Sequence, residues 1–329
     1  MTEDRTPKGA LDRVLTVEVM RVTERAAVSA ARLRGRGDER AADHAAVEAM
    51  RRELNRLSIE GIVVIGEGER DEAPMLYIGE AVGSGGQSVD IALDPLEGTT
   101  LCAKDMPNSL ATLALASGGD LLHAPDVYME KIAIGPGYPE GLVDLEMPPA
   151  EAVRKLAEAK GVPVDEITAC ILDRPRHADL INEVRASGAA IRLIGDGDVA
   201  GIIHTTDPIE TGIDIYMGSG GAPEGVLAAA ALRCTGGQMQ GRLILNSDEH
   251  RARADRMGIS DYSKIYTHND MARGDVYFSA TGVTDGNLLE GVRFYPGYIT
   301  TETIVMRSST GTVRTIKAKH VDYSKFILD

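Results

Sequence analysis

Two short stretches combine carboxylates with glycine in a way that could hold metal ions: Gly66-Glu67-Gly68-Glu69 and Asp94-Pro95-Leu96-Glu97-Gly98-Thr99. Glu224, in Gly220-Gly221-Ala222-Pro223-Glu224, and Asp43, farther upstream, add two more acidic groups. Gathering such anions is unfavourable, since two unit charges 4 Å apart repel by about 4 kcal/mol at an effective dielectric near 20. Divalent cations remove that cost, and oxygen-only ligands favour Mg2+ or Mn2+ over zinc. Pro95 fixes the chain after Asp94, Leu96 offers a backbone carbonyl, and Gly98 lets the chain turn. Asp94 and Glu97 then hold one ion or bridge two. Each residue type in Asp-Pro-x-Glu-Gly-Thr is also common in plain capped turns. The second glycine-flanked glutamate after an apolar run is what tips the reading toward a metal centre.

Other catalytic templates are missing: there is no HExxH, GxSxG or GxxxxGK[ST]. Gly195-Asp196-Gly197-Asp198-Val199-Ala200 fits the GxGxxA dinucleotide pattern, but its two aspartates would repel a pyrophosphate. Carboxylates there suit sugar hydroxyls, from which they accept hydrogen bonds. Arg174 and Arg176, flanking Pro175, can grip phosphate bidentately, and Tyr128 can donate its hydroxyl. The histidines are scattered, with His177 and His204 read as helix-face residues rather than ligands.

These residues need elements to position them. Leu11, Leu15, Val19, Val22, Ala26, Ala30 and Leu33 mark one helix face, ended by Gly35-Arg36-Gly37. Asp38 can cap a second helix, on which Asp43 shares the stripe of Ala46, Val47, Met50, Leu54 and Leu57. An inward carboxylate is costly unless compensated, although a first-turn Asp is also favoured by the helix dipole. Ile62–Ile65 predicts a buried strand ahead of Glu67. Val89, Ile91 and Leu93 predict another ahead of Asp94, and Leu110–Ala116 a third, with Gly118-Gly119 as a hairpin turn. Pro148-Pro149 precedes a helix over 150–160.

From about 165 the rhythm becomes strand–helix, the pattern of a parallel doubly wound sheet. Its strands at 167–172, 190–194 and 213–217 end in the loops bearing Arg174 and Arg176, Asp196 and Asp198, and Gly221 and Glu224. Open α/β sheets bind ligands at the carboxyl ends of their strands, so the three loops are expected to line one crevice. Later strands at 276–280, 301–307 and 312–319 read as antiparallel. The expected domain boundary is near 165, separating an N-terminal α+β metal-binding part (1–165) from a C-terminal α/β substrate-binding part (166–329).

Composition narrows the partners. The 329 residues carry 50 acidic and 35 basic side chains, a net charge of −15, with 43% hydrophobic residues and no Trp. That balance argues against nucleic acid, whose phosphates need basic patches, and no apolar stretch approaches a membrane span. The N-terminus lacks a signal-peptide core. Cys102, Cys170 and Cys234 are isolated, which fits a reducing cytoplasm.

Taken together, Ile65-Gly66-Glu67-Gly68-Glu69, Asp94-Pro95-Leu96-Glu97-Gly98-Thr99 and Gly220-Gly221-Ala222-Pro223-Glu224-Gly225 resemble the class II fructose-1,6-bisphosphatases of bacteria. These lie within the lithium-sensitive, metal-dependent sugar phosphatase superfamily. The similarity runs in order from Leu15 to Lys319 through Ala124-Pro125-Asp126, Arg174-Pro175-Arg176-His177 and Phe278-Ser279-Ala280-Thr281-Gly282. It implies an α/β fold, the layered α-β-α-β-α sandwich of the sugar phosphatases, assembled as a homo-oligomer (dimer or tetramer).

It also implies Asp43, Glu67, Asp94, Glu97 and Glu224 as ligands of Mg2+ or Mn2+. Glu97, Gly98, Thr99, Tyr128, Arg174, Pro175, Arg176, Asp196, Gly197, Asp198 and Gly221 would contact a sugar bisphosphate. Thr99, relayed through Asp43, would orient and deprotonate a water, with Asp71 as an additional base, in hydrolysis of the 1-phosphate of fructose 1,6-bisphosphate. Glu39 and Arg174 depart from the resemblance, since relatives can carry Lys at both. A sedoheptulose bisphosphatase or inositol phosphatase would keep the metal box and change the Arg-Pro-Arg and Asp-Gly-Asp loops. A nicotinamide-dependent oxidoreductase would use the GxGxxA loop, and a non-catalytic metal-binding protein would release no phosphate.

Overall fold

The computed structural model describes residues 10–68 and 74–326. The chain runs through α1 (Leu15–Ala31), α2 (Glu39–Leu54), β1 (Ile59–Ile65), β2 (Ala81–Val82), β3 (Gln87–Glu97), α3 (Thr99–Ala103) and β4 (Leu110–Ser117). There follow β5 (Tyr128–Ile134), α4 (Pro149–Lys160), β6 (Thr168–Leu172), α5 (Ala178–Ala186), β7 (Ala190–Ile194), α6 (Asp198–Ile203), α7 (Pro208–Thr211), β8 (Ile215–Gly221) and α8 (Ala222–Thr235). The last elements are β9 (Gln238–Leu243), α9 (Asp248–Arg256), β10 (Ile265–Thr267), α10 (His268–Met271), β11 (Val276–Gly282), β12 (Arg293–Tyr295), β13 (Tyr298–Arg307) and β14 (Thr312–His320).

Two sheets result. The first orders its strands β12-β13-β11-β4-β3-β1-β2, with β14 also paired to β13; the second runs β10-β9-β5-β8-β6-β7. Strand alternation sends successive side chains to opposite faces, and the core divides accordingly. Ile91 and Leu93 of β3 pack outward with Val19, Val22 and Ala26 of α1 and with Met50 and Leu54 of α2. Ala92 points the other way, into a core shared with Met129 and Ala133 of β5 and the apolar length of α8. On the far face of the second sheet, Ile132, Ile134 and Ile171 meet Val153 and Leu156 of α4 and Ile181 and Val184 of α5. The layers are therefore helix, sheet, helix, sheet, helix. α8 is apolar all round because it is covered by sheet on both sides.

Three expectations need correction. The sheets do not divide at residue 165: β5 already lies in the second sheet, and β11 to β14 return to complete the first. Within the second sheet, among the described residues, only β7, β6 and β8 are parallel, because β5 inserts antiparallel beside β8 and carries β9 and β10 with it. Gly118-Gly119 is not a hairpin turn either. The Gly119 amide donates to Asp90 Oδ2 (2.8 Å), and the chain then leaves β4 for the other sheet. Each error has one cause: periodicity reports strands but not which long-range edge they join.

Candidate active site

α2 begins where expected, with Asp38 Oδ1 accepting the Ala41 amide at 2.9 Å, and presents Asp43 half-buried in its second turn. β1 delivers Glu67. Its preceding residue must be glycine, since a Cβ on Gly66 would stand 2.1 Å from the Leu76 carbonyl.

β3 supplies Asp94 and Glu97, and here the proline has a geometric purpose. Residues three apart on a regular strand face opposite sides. However, Asp94 pairs with Thr112 while Glu97 pairs with Leu110, a bulge of one extra residue. Pro95, which has no N–H to give a ladder, sits inside that bulge. The bulge turns both carboxylates to the same side, where with Glu224 they approach within 4.8 Å of one another. Gly98 then takes φ 76° before the short α3 that carries Thr99. Glu224 comes from the first turn of α8, and a Cβ on Gly221 would lie 1.8 Å from its Oε2.

Asp43, Glu67, Asp94, Glu97 and Glu224 thus converge on one cavity of about 320 Å3, shared with Gly98, Thr99, Asp126 and Asp196. Burial, then the neighbouring Asp43 and Asp94, push the Glu67 carboxyl up to about 9. Burial raises Asp94 to about 6 and Glu224 to about 7; it lifts Glu97 well above the ordinary range and raises Asp43 as well. Glu97 Oε1 accepts the Val199 amide at the start of α6 (3.1 Å). Glu224 Oε2 is buried and accepts no hydrogen bond among the described residues. An orphaned anionic oxygen inside an all-oxygen cluster is what a hard divalent cation satisfies, so these residues fit such an ion.

A second cavity of about 380 Å3 continues from the first and shares Glu97, Asp126, Asp196 and Glu224 with it. Its walls include Tyr128, Arg174, Arg176, Asp196, Asp198 and Gly221, drawn from β5 and the loops after β6, β7 and β8. The Arg176 guanidinium lies 4.6 Å over the Tyr128 ring, a cation–π contact, and Arg174 stands 3.9 Å from Asp196. Pro175 and Gly197 are not among its walls. Pro175 starts the 3-10 turn that aims the two arginines, and Gly197, at φ 80°, opens α6. Asp71 lies outside the described residues.

Three residues escaped the sequence reading. Lys131 is sealed beneath the carboxylates, bonded to Asp198 Oδ2 at 2.6 Å. The signal for it was present: Lys131 shares strand parity with Met129 and Ala133, so a cation occupies an apolar face. His250 of α9 lines the larger cavity, and no local pattern announces it. His177, expected on a helix face, is instead buried, with its ring nitrogens against Leu172 and Ser219.

A polyanionic pocket joined to one that carries two arginines suits a phosphate ester beside metal ions. Residues 13–320 match the family described as bacterial fructose-1,6-bisphosphatase, glpX-encoded. The chain belongs to that family. Fructose-1,6-bisphosphatase 1 class 2 of Escherichia coli (strain K12) is 47% identical over 323 residues, covering 94% of this chain and 95% of that protein. The D-fructose 1,6-bisphosphatase class 2/sedoheptulose 1,7-bisphosphatase of Synechococcus sp. (strain JA-3-3Ab) is 44% identical over 337 residues, 94% and 96% of the two chains. Two solved structures, an extragenic suppressor protein SuhB from Bartonella henselae and an inositol monophosphatase from Anabaena, align with 59% and 58% of the chain and 74% and 71% of theirs. Their identities are 16% and 12% and their TM-scores 0.34 and 0.31. As a bisphosphatase-family member the chain is a hydrolase, and among its described residues no helix is long and apolar enough to cross a membrane.

Proposed function

We propose that the chain hydrolyses the 1-phosphate of fructose 1,6-bisphosphate, with Mg2+ or Mn2+ held by Asp43, Glu67, Asp94, Glu97 and Glu224. The observation that carries this is the union of two cavities, one whose charged walls are all carboxylates and one that also carries Arg174 and Arg176, through Glu97, Asp126, Asp196 and Glu224. Asp43, Glu67, Asp94, Glu97 and Glu224 would hold the ions, which when bound would supply charge neutralisation for the phosphoryl and leaving groups and a lowered pKa for water. Thr99 stands at the first turn of α3 in the carboxylate-walled cavity, where its Oγ orients the attacking water and passes the proton toward Asp43. Arg174 and Arg176 hold the remote 6-phosphate, and that binding energy positions the reacting one. Asp196 and Asp198 accept hydrogen bonds from sugar hydroxyls, and Tyr128 donates one; Gly98 and Gly221 leave room for the ligand. Asp71 is proposed as a further base.

The relative named for both activities favours a second reading in which a seven-carbon bisphosphate also fits. Phosphate release from fructose 1,6-bisphosphate, sedoheptulose 1,7-bisphosphate and inositol monophosphate, with each divalent ion in turn, tests both. No release from either ketose bisphosphate would overturn them. Three free buried cysteines accord with the proposed cytoplasmic setting, and the proposed homo-oligomer is tested by sedimentation.

A further inference from the structure

We propose that His177 is a positioning residue for Arg176, acting through Ser219. This rests on the reading that Arg176 grips the substrate's remote phosphate. His177 closes the 3-10 turn Pro175–His177 and its side chain is buried, with 4% of its surface exposed. Nδ1 lies 2.8 Å from the Leu172 carbonyl. A carbonyl only accepts, so the proton is on Nδ1 and Nε2 is left as an acceptor. Nε2 receives the Ser219 amide at 2.8 Å, with Ser219 Oγ at 3.0 Å. Ser219 in turn holds the guanidinium at two points: Arg176 Nε donates to Oγ (3.0 Å) and Nη2 donates to the carbonyl (2.6 Å).

The ring itself has one place to sit. A Cβ on Gly218, at φ 138°, would stand 3.2 Å from its Cε1 and Nε2. Burial, with Arg174 and Arg176 nearby, holds the imidazole below its ordinary range, which keeps it the neutral acceptor the network needs. Arg176 requires such support. Besides the substrate cavity it borders a second one of about 280 Å3, lined by Leu145, Met147, Leu180, Met217 and Ile244. With cavities on two sides, close packing does not fix its rotamer. Hydrogen bonds to Ser219 and the Tyr128 face do, and an arginine fixed before the ligand arrives loses less entropy on binding.

The test uses the full chain and two amides that each mimic one half of the imidazole. H177N keeps a donor toward Leu172 and loses the acceptor; H177Q keeps an acceptor near the Nε2 position. H177N is expected to raise KM for fructose 1,6-bisphosphate about tenfold, the scale of one lost hydrogen bond to a charged group, with kcat changed less than about threefold. H177Q should return KM to within about threefold of the parent. S219A, which spares the imidazole, should raise KM as H177N does. Calorimetry with fructose 6-phosphate in the absence of metal should show the same order of affinities. In an R176A background H177N should add nothing. An unchanged KM in H177N, or a full additional loss in the R176A background, overturns the inference. An unchanged KM in R176A alone would instead remove the phosphate role of Arg176, and the inference with it.

Discussion

Lys131 Nζ and Asp198 Oδ2 lie 2.6 Å apart with the two side chains 0% and 5% exposed, directly under the carboxylate cluster. Lys131 stands in β5 between glycines on both neighbouring strands, Gly218 and Gly241. A Cβ on Gly220 would fall 1.9 Å from Asp198 Oδ2 and 3.2 Å from Lys131 Nζ. Glycine thus makes the space in which a buried ion pair forms beside Glu97 and Glu224.

Removing one partner leaves the other charged and unsolvated, a loss of about 3–5 kcal/mol for a buried pair. Lys131→Met should therefore destabilise strongly in denaturant titrations. Lys131→Met with Asp198→Asn should recover a substantial part, because no uncompensated charge remains. A double variant as unstable as the sum of both singles would contradict this.

Asp94 illustrates the opposite balance. It gathers with Glu97 and Glu224, and its Oδ1 accepts the Leu96 amide at 3.0 Å. Asp94→Asn keeps an acceptor for that amide while deleting one charge. The metal-free protein should gain about 1 kcal/mol or more, a part of the roughly 4 kcal/mol that one close repulsion costs at protein-like dielectric. Mn2+ affinity and turnover should fall at least about tenfold if Asp94 holds the ion as proposed. Thermal melts with and without Mn2+ check both directions.

Gly221 has φ −60°, so an alanine there suffers no backbone strain, only the collision of its Cβ with Glu224 Oε2 at 1.8 Å. Gly221→Ala should swing that carboxylate out of the cluster. The expected result is a fall in Mn2+ affinity of about tenfold or more, with a melting temperature close to the parent. Unaltered Mn2+ binding would mean that Glu224 is not a ligand.

Much of this site was legible in the chain because it is written in local backbone chemistry. Gly66, Pro95 and Gly98 are demanded by a close carbonyl, a bulge and a positive φ, and each flags the carboxylate beside it. Helices α1 and α2 followed from spacing and a cap. What local pattern does not carry is strand adjacency: nothing around Tyr128–Ile134 says that this strand enters a parallel set backwards. That same insertion places Lys131 under Asp198, while the parallel pairing of β6 with β8 brings the Ser219 amide within reach of His177; neither contact is written in the residues beside it. His250 reaches the cleft from a helix with no chemical signature of its own.

The raised carboxyls set a direction for pH. Burial puts Glu67 near 9, Glu224 near 7 and Asp94 near 6, all above the roughly 4 of the same groups in an unfolded chain. Between about pH 4 and 9 the metal-free folded state therefore holds protons that the unfolded chain has released, and its stability falls as pH rises through that window. A divalent cation needs the ionised carboxylates and displaces those protons. Its affinity should climb by about a factor of ten per pH unit for each proton expelled. Melting curves of the EDTA-treated protein should thus move down from pH 5 to pH 9, while the stabilisation added by Mn2+ grows over the same range. Calorimetry in buffers of different ionisation enthalpy should register protons leaving as metal binds. A metal-free protein that grows more stable toward pH 9, or Mn2+ binding without proton release at pH 7, would mean that the cluster is already ionised and neutralised by something other than a cation.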